Sequence, residues 1–332
     1  MNSLEKKREL ANKIEKAILS LITGDYVLYG LPYYNNIGDT LIWNGERELL
    51  KKVPYKCLGV CSWCDYPKTK LPEDVTVLIT GGGYFGDLWR RGWQEVIDGI
   101  APLRNNRIIV MPCSVFYENT EIRNNDAEFL AGFPNLKILV RDRASLEYIR
   151  KYFKNDVELV PDMAFFMNER ALLRYGRRKP VKNVLYFKRN DKELVDNGLQ
   201  IPERDFEIHD WAPMERVHFK EKVFVKLRNY SYYLTKISPR LSSFAFHKLY
   251  SAIYRPHMTT LGLQQLSSYR KIYTTRLHAM ILGVMLGREV YFIDNSYGKI
   301  SSYYDTWLSD CDNIKPLNDM NIVREQSRSV DV

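Results

Sequence analysis

The sequence predicts an α/β protein made of two successive units, each a mostly parallel sheet between helices. Three observations carry this reading. Short apolar, β-branched runs alternate with helical stretches of ten to fifteen residues through the first half, and the alternation resumes after residue 180. The break falls on Arg170 to Pro180, which is charged and carries Gly and Pro, so it is the expected linker. The length of 332 residues is enough for two domains that each bury a core. The expected units are therefore 1–172 and 173–332, with an insert at about 205–258 where the second alternation lapses.

Composition removes several classes. With 45% hydrophobic and 27% charged residues the chain has the make-up of a globular protein, not of a disordered or repetitive one. Five cysteines are too few, and odd in number, for a disulfide scaffold. No apolar run reaches the roughly 18 residues that span a bilayer. The first 22 residues read as a charged amphipathic helix rather than a leader, so a cytosolic location is expected.

Taken in order, Asp25 to Tyr29 reads as a strand and Thr40 to Lys52 as a helix. Val75 to Thr80 is a strand that runs into Gly81, Gly82 and Gly83, with a helix from about Leu88 to Ile100. Then come strand Arg107 to Met111, a helix near Asn125 to Leu130, strand Leu136 to Val140, helix Ala144 to Phe153 and strand Val157 to Val160. The second unit shows strand Asn183 to Phe187, strand Lys271 to Thr274, helix Leu277 to Leu286, strand Glu289 to Ile293 and a helix near Ile300 to Leu308.

Motifs at the ends of these strands bear on chemistry. Gly81-Gly-Gly-Tyr-Phe-Gly86 fits the spacing of a dinucleotide loop, but the next strand ends Val110-Met-Pro-Cys113 without the acid that holds a ribose. A tight strand-to-helix turn and a substrate-contacting loop are the two readings left. Cys57, Cys61 and Cys64 have the spacing of the iron–sulfur loop of radical S-adenosylmethionine enzymes. Against this, the surrounding pattern is an open sheet, and free cysteines often serve as small buried hydrophobes. His209, His218, His247 and His257 have no partner at metal-ligand spacing, and no metal is expected. Arg276 and His278 lie where a strand ends and a helix begins, the place where ligands bind in open α/β sheets and where a helix N-terminus favours phosphate. No acid lies within ten residues of Arg276. Arg141 and Asp142 follow another strand, with Asp142 readable as a helix cap and Arg141 as a side chain aimed into the crevice. Asp39 opens a helix after the first strand, placed either to cap or to catalyse.

Together, Tyr34-Asn-Asn-Ile-Gly-Asp39, the Gly81–Gly83 turn, Val140-Arg-Asp142 with Ser145, Pro161-Asp-Met-Ala-Phe165, and Arg276-Leu-His278 followed by Asp294 and Lys299 resemble the polysaccharide pyruvyl transferases. The resemblance implies two Rossmann-like domains facing a cleft, similar to GT-B glycosyltransferases. It also implies transfer of pyruvate from phosphoenolpyruvate to two sugar hydroxyls as a cyclic ketal, with phosphoenolpyruvate a substrate and no cofactor. It assigns Arg276, Leu277 and His278 to the donor, with Arg141 and Lys299 as further candidates, and His278 as general acid. Asn36, Asp39, Gly82 and Gly83 are the expected acceptor side, with Asp39 as base. Rival readings are a nucleotide-sugar glycosyltransferase, the radical enzyme, and a non-enzymatic module that binds anionic lipid or nucleic acid.

The charge supports an anionic partner at one face. Eleven of the 49 basic residues, and no acid, fall between Lys222 and Arg288, so the rest of the chain holds 38 bases against 40 acids. Between Phe219 and Arg255 these bases are interleaved with aromatics, a mixture suited to an anionic membrane surface. The expectation is a peripheral enzyme on the inner membrane face, reaching a lipid-linked sugar through Lys226, Arg228, Lys236, Arg240 and Lys248. The competing reading places the aromatics in the core.

Overall fold

In a computed structural model, residues 1–64, 66–191, 193–194, 201–217, 219–235, 246–294 and 298–317 are described. They form two units, each built on a parallel sheet. One unit holds 10–167 and 217–259; the other holds the described residues of 1–9, 168–216 and 260–317. The expected boundary at 172/173 put the insert with the second sheet, whereas 217–259 groups with the first. The reason is aromatic packing: Tyr250 lies 4.5 Å and Phe246 5.7 Å, ring to ring, from Tyr33.

The first unit carries β1 (Tyr26–Leu31), β2 (Cys57–Ser62), β3 (Thr76–Ile79), β4 (Gly82–Gly86), β5 (Ile108–Phe116), β6 (Leu136–Val140) and β7 (Asp156–Leu159). They hydrogen-bond in the order β2-β1-β3-β5-β6-β7, with β4 against the end of β5, and every pairing is parallel. All four residues of β3 are buried, as expected of a strand covered on both faces. The helices are α1 (Ser3–Leu19, which begins in the other unit), α2 (Ile37–Leu50), α3 (Arg90–Ile100), α4 (Thr120–Ala131) and α5 (Arg143–Tyr152). Asn36, Asn119 and Asp142 start α2, α4 and α5 by accepting first-turn amides. The core joins Val27, Val77, Ile79, Ile108, Val110 and Ile138 to Trp93 and Val96 of α3 and Ile149 of α5. On α2, a Cβ at Gly45 would stand 1.7 Å from the Met163 carbonyl oxygen, so the helix lies directly on the turn Met163–Phe166.

The second unit carries β8 (Lys182–Phe187), β9 (Glu207–His209), β10 (Tyr269–Thr274), β11 (Glu289–Phe292) and β12 (Ile314–Pro316) in the order β12-β11-β10-β8-β9, again all parallel. Its helices are α6 (Glu169–Gly176), α7 (Ala212–Glu215), α10 (Leu277–Met285) and α11 (Lys299–Trp307). Two more helices come from 217–267: α8 (Phe219–Thr235), in the first unit, and α9 (Arg255–Ser267), which passes from the first unit into the second at 259/260. The expected linker is thus largely α6, anchored by buried Leu172 and Tyr175. No helix among the described residues is long and apolar enough to cross a membrane.

Candidate functional site

In the first sheet the chain steps from β1 to β2 on one side and to β3 on the other, so the strand order reverses between β1 and β3. Open α/β sheets bind ligands outside the carboxyl ends of the strands at such a point. Asn36, Asp39 and Gly82 are there. Half-buried Asp39, in the first turn of α2, accepts the Tyr34 hydroxyl at 2.8 Å and the Asn36 amide at 2.7 Å on one oxygen. Asn36 Oδ1 meanwhile accepts the Gly38 N–H, so one side chain both caps the helix and holds the carboxylate. Gly82 has φ +147°, and a Cβ there would press on the Tyr84 ring at 3.2 Å and lie 3.8 Å from Asp39 Oδ1. Of the two readings of the glycine run, the strand-to-helix turn is therefore not realised. Gly82 and Gly83 open β4, whose pairing with β5 lengthens the sheet over this point.

Seven residues along α2 from Asp39, Glu46 is fully buried and accepts the Gly81 N–H at 3.0 Å. Burial pushes this carboxyl up to about 8 despite that N–H and the Thr80 hydroxyl, so it holds its proton at neutral pH. Its place on the face of Asp39 two turns earlier was the signal available in the sequence.

Arg141 does not reach the crevice. It is 1% exposed; Nη1 donates to Asp162 at 2.7 Å and Nε to Ser114 Oγ at 2.9 Å. Asp142 accepts Ser114 Oγ at 2.6 Å and the Ser145 N–H at 2.8 Å, and Ser145 Oγ accepts the Val115 N–H. These residues brace the ends of β5 and β6 and the turn at Asp162, so Arg141, expected at the donor, is engaged by Ser114 and Asp162.

The second sheet reverses between β8 and β10. At their carboxyl ends stand Arg189, two residues past β8, and Arg276, two residues past β10. The Arg276 guanidinium grips Asp210 in a fork, with both contacts at 2.5 Å, and reaches Asp191 at 3.1 Å. Arg189 pairs with Asp191 at 2.8 Å and Glu193 at 2.7 Å, and Lys299 Nζ reaches Glu193 at 2.8 Å. Arg189 N–H also donates to Thr275 Oγ1, tying the two strand ends together. Three cations and three carboxylates thus form one nest. Burial alone would raise Glu193, but Lys299 and Arg189 outweigh it and hold the carboxyl well below its usual range. Asp191 is likewise held low by Arg189 and Arg276 against its own burial. The acids absent from the sequence around Arg276 are supplied from 66 and 85 residues upstream, so the guanidinium is paired. Arg189, Asp191, Glu193 and Asp210 were missed. Arg189 and Asp191 follow an apolar strand just as Arg141 and Asp142 do, and that was the sign of them.

Leu277 begins α10 and is buried, with every other residue of that apolar helix except His278, which alone stays half-buried. Asp294 accepts the Ile300 N–H at 3.0 Å and the Ser301 N–H at 3.3 Å, fixing the start of α11 and with it Lys299.

The cysteine spacing has a structural account. Cys57 and Cys61 lie on β2, about 13 Å apart along an extended strand, one exposed and the other buried. Three thiolates cannot converge on one cluster from there. In the insert, Phe224, Tyr250 and Tyr254 are buried and pack against one another edge-on or tilted, as the packing reading expects. Lys236 and Arg240 lie outside the described residues, as does the side chain of Arg228.

The chain is similar to known proteins in sequence and in fold. Residues 36–297 match the family model described as "Polysaccharide pyruvyl transferase". A Bacillus subtilis (strain 168) protein named "Putative pyruvyl transferase EpsO" is 29% identical over 295 residues, covering 87% of this chain and 85% of that protein. "Pyruvyl transferase 1" of Schizosaccharomyces pombe is 27% identical, covering 86% of this chain and 70% of that one. A crystal structure of a functionally uncharacterised protein from Klebsiella pneumoniae superposes with a TM-score of 0.60 at 18% identity, over 93% of this chain and 98% of the other, and shares the fold.

Proposed function

The chain belongs to the polysaccharide pyruvyl transferase family, and from that premise we propose that it carries pyruvate from phosphoenolpyruvate to two hydroxyls of one sugar in a polysaccharide repeat unit. The product is a cyclic ketal, with phosphate released. The observation that carries the donor choice is the nest of Arg189, Arg276 and Lys299 at the switch point of the second sheet, beside His278. Phosphoenolpyruvate bears a carboxylate and a phosphate, and guanidinium forks match both. Its charged groups take the place of Asp210 and Asp191 on the guanidinium, and α10 turns its positive end toward them.

His278 gives a proton to the methylene carbon, which becomes the methyl group, and C2 gains oxocarbenium character. The first sugar hydroxyl adds to C2 and yields its proton to a general base. The C–O bond to phosphate then breaks, the second hydroxyl closes the ring on C2, and its proton leaves with the phosphate. The nest's cations neutralise the departing dianion, so the reading needs no cofactor. Asn36, Gly82 and Gly83 line the acceptor side beside Asp39, and Asn36 keeps Asp39 in position. The acceptor is a lipid-linked repeat unit in the cytoplasm.

The names of the relatives that transfer pyruvyl groups favour this donor over a nucleotide sugar. The test incubates the protein with phosphoenolpyruvate and a diol-bearing acceptor oligosaccharide, free and lipid-linked. Phosphate release matched by a pyruvate ketal in the product mass spectrum is expected. Thermal stabilisation by a nucleotide sugar but not by phosphoenolpyruvate would replace this reading with a glycosyltransferase.

A further inference from the structure

The helix α8 presents an outward face that the donor chemistry does not use. At 100° per residue, Phe219, Tyr230, Val223 and Leu227 fall within an arc of about 80°. All four are exposed, Phe219 by 80% and Tyr230 by 64%. Lys222 and Lys226 flank the arc on one side and Lys220 on the other, and all three are exposed. The opposite side is buried through Glu221 and Phe224. Glu221 is the single acid of the helix, and it is turned inward against His257 at 2.5 Å. The outward face therefore has an apolar centre, cationic margins and no negative charge.

We propose that this face of α8 docks the enzyme on an anionic lipid surface, its apolar arc entering the headgroup–acyl boundary and its lysines extending to the headgroups. An apolar stripe of this size in water signals a partner. Helices that lie in the membrane interface combine such a stripe with cations, whose long stems let the ammonium groups reach lipid phosphates. Charge decides among occupants. A second copy docking through the same face would bring lysines against lysines. A nucleic acid would meet its phosphates on the margins but find Val223 and Leu227, which neither stack nor hydrogen-bond, at the centre. The docking stands apart from the transfer reaction, because it is measured without turnover.

The experiment is co-sedimentation of the whole chain with phosphatidylglycerol–phosphatidylcholine vesicles, and with phosphatidylcholine alone. Binding to the anionic vesicles at low salt, and its loss in about 0.5 M salt, is expected. K220Q/K222Q/K226Q should weaken it roughly fivefold for each lysine replaced. F219S/Y230S should abolish it with an unchanged melting temperature, since both side chains are solvent-exposed. Three outcomes overturn the proposal: wild type that stays in the supernatant with anionic vesicles at low salt, variants that bind as wild type does, or a single-stranded oligonucleotide captured in place of the vesicles with the same loss in the lysine variant.

Discussion

Eight of the nine residues of α10 are buried and His278 is the ninth, so on the proposed reading its replacement removes the general acid at small cost to packing. His278→Ala should lower turnover by about 10²–10⁴-fold while leaving the melting temperature close to wild type, as steady-state kinetics and calorimetry would show. Arg276→Ala should behave differently. It strands Asp210 without its fork and leaves Asp191 to Arg189 alone, and breaking a buried pair costs about 3–5 kcal/mol. A fall in melting temperature of several degrees, alongside weaker phosphoenolpyruvate binding, is the expected result. Glu46 gives a pH prediction. Its folded carboxyl titrates near 8 against about 4.3 in the unfolded chain. Between those values the native state holds a proton that the unfolded state has lost, so stability falls as pH rises through this window and is constant above it. Glu46→Gln should flatten that dependence and be the more stable protein at pH 9, by a few kcal/mol at most, in melts recorded from pH 5 to 9. The positions of Arg276, His278 and Asp39 at helix starts could be read from the sequence because a strand–helix junction is local. The pairing of Asp210 and Asp191 with Arg276 could not, because it spans a distance that only folding closes, and the same is true of the pairing of Asp162 with Arg141.

Among elements, α2 shows how sequence propensity and packing can oppose each other. Gly45→Ala would favour an isolated helix by about 1 kcal/mol, yet the added methyl would sit 1.7 Å from the Met163 carbonyl oxygen. The helix must lift from the turn beneath it, so net destabilisation of about 1–3 kcal/mol is expected in urea unfolding. The strands with apolar, β-branched runs were legible, β3 and β6 above all. Those hidden by another signal were not. The cysteine spacing masks β2 and the glycine run masks β4, because Gly carries little strand propensity and pairing with a neighbour decides. In α6, the Arg and Gly residues outweighed the spacing of Leu172 and Tyr175, the contacts that hold it in place. The aromatics of 219–255 divide by helical face, which composition does not reveal: Phe224 and Tyr254 pack inward while Phe219 and Tyr230 face out.

For the molecule as a whole, the chain changes unit at 9/10, 167/168, 216/217 and 259/260, so neither unit is a continuous length of sequence. A fragment ending at residue 172 keeps the first sheet but loses Phe246 and Tyr250, which cover Tyr33, and Tyr254, whose hydroxyl donates to Asn35. It also loses Arg255 and Thr259, the partners of Asn44, and Ser251, the partner of Arg47. Such a fragment should give weak near-ultraviolet dichroism and aggregate on concentration, whereas the sequence pattern alone presents it as a self-sufficient domain. This interleaving also constrains descent. A recombination that exchanges residues 10–167 between related genes would import an α2 surface fitted to a different aromatic cover. Changes at Tyr33 or Asn44 are therefore expected to need matching changes in 246–259, which would couple two stretches some two hundred residues apart as one unit of selection.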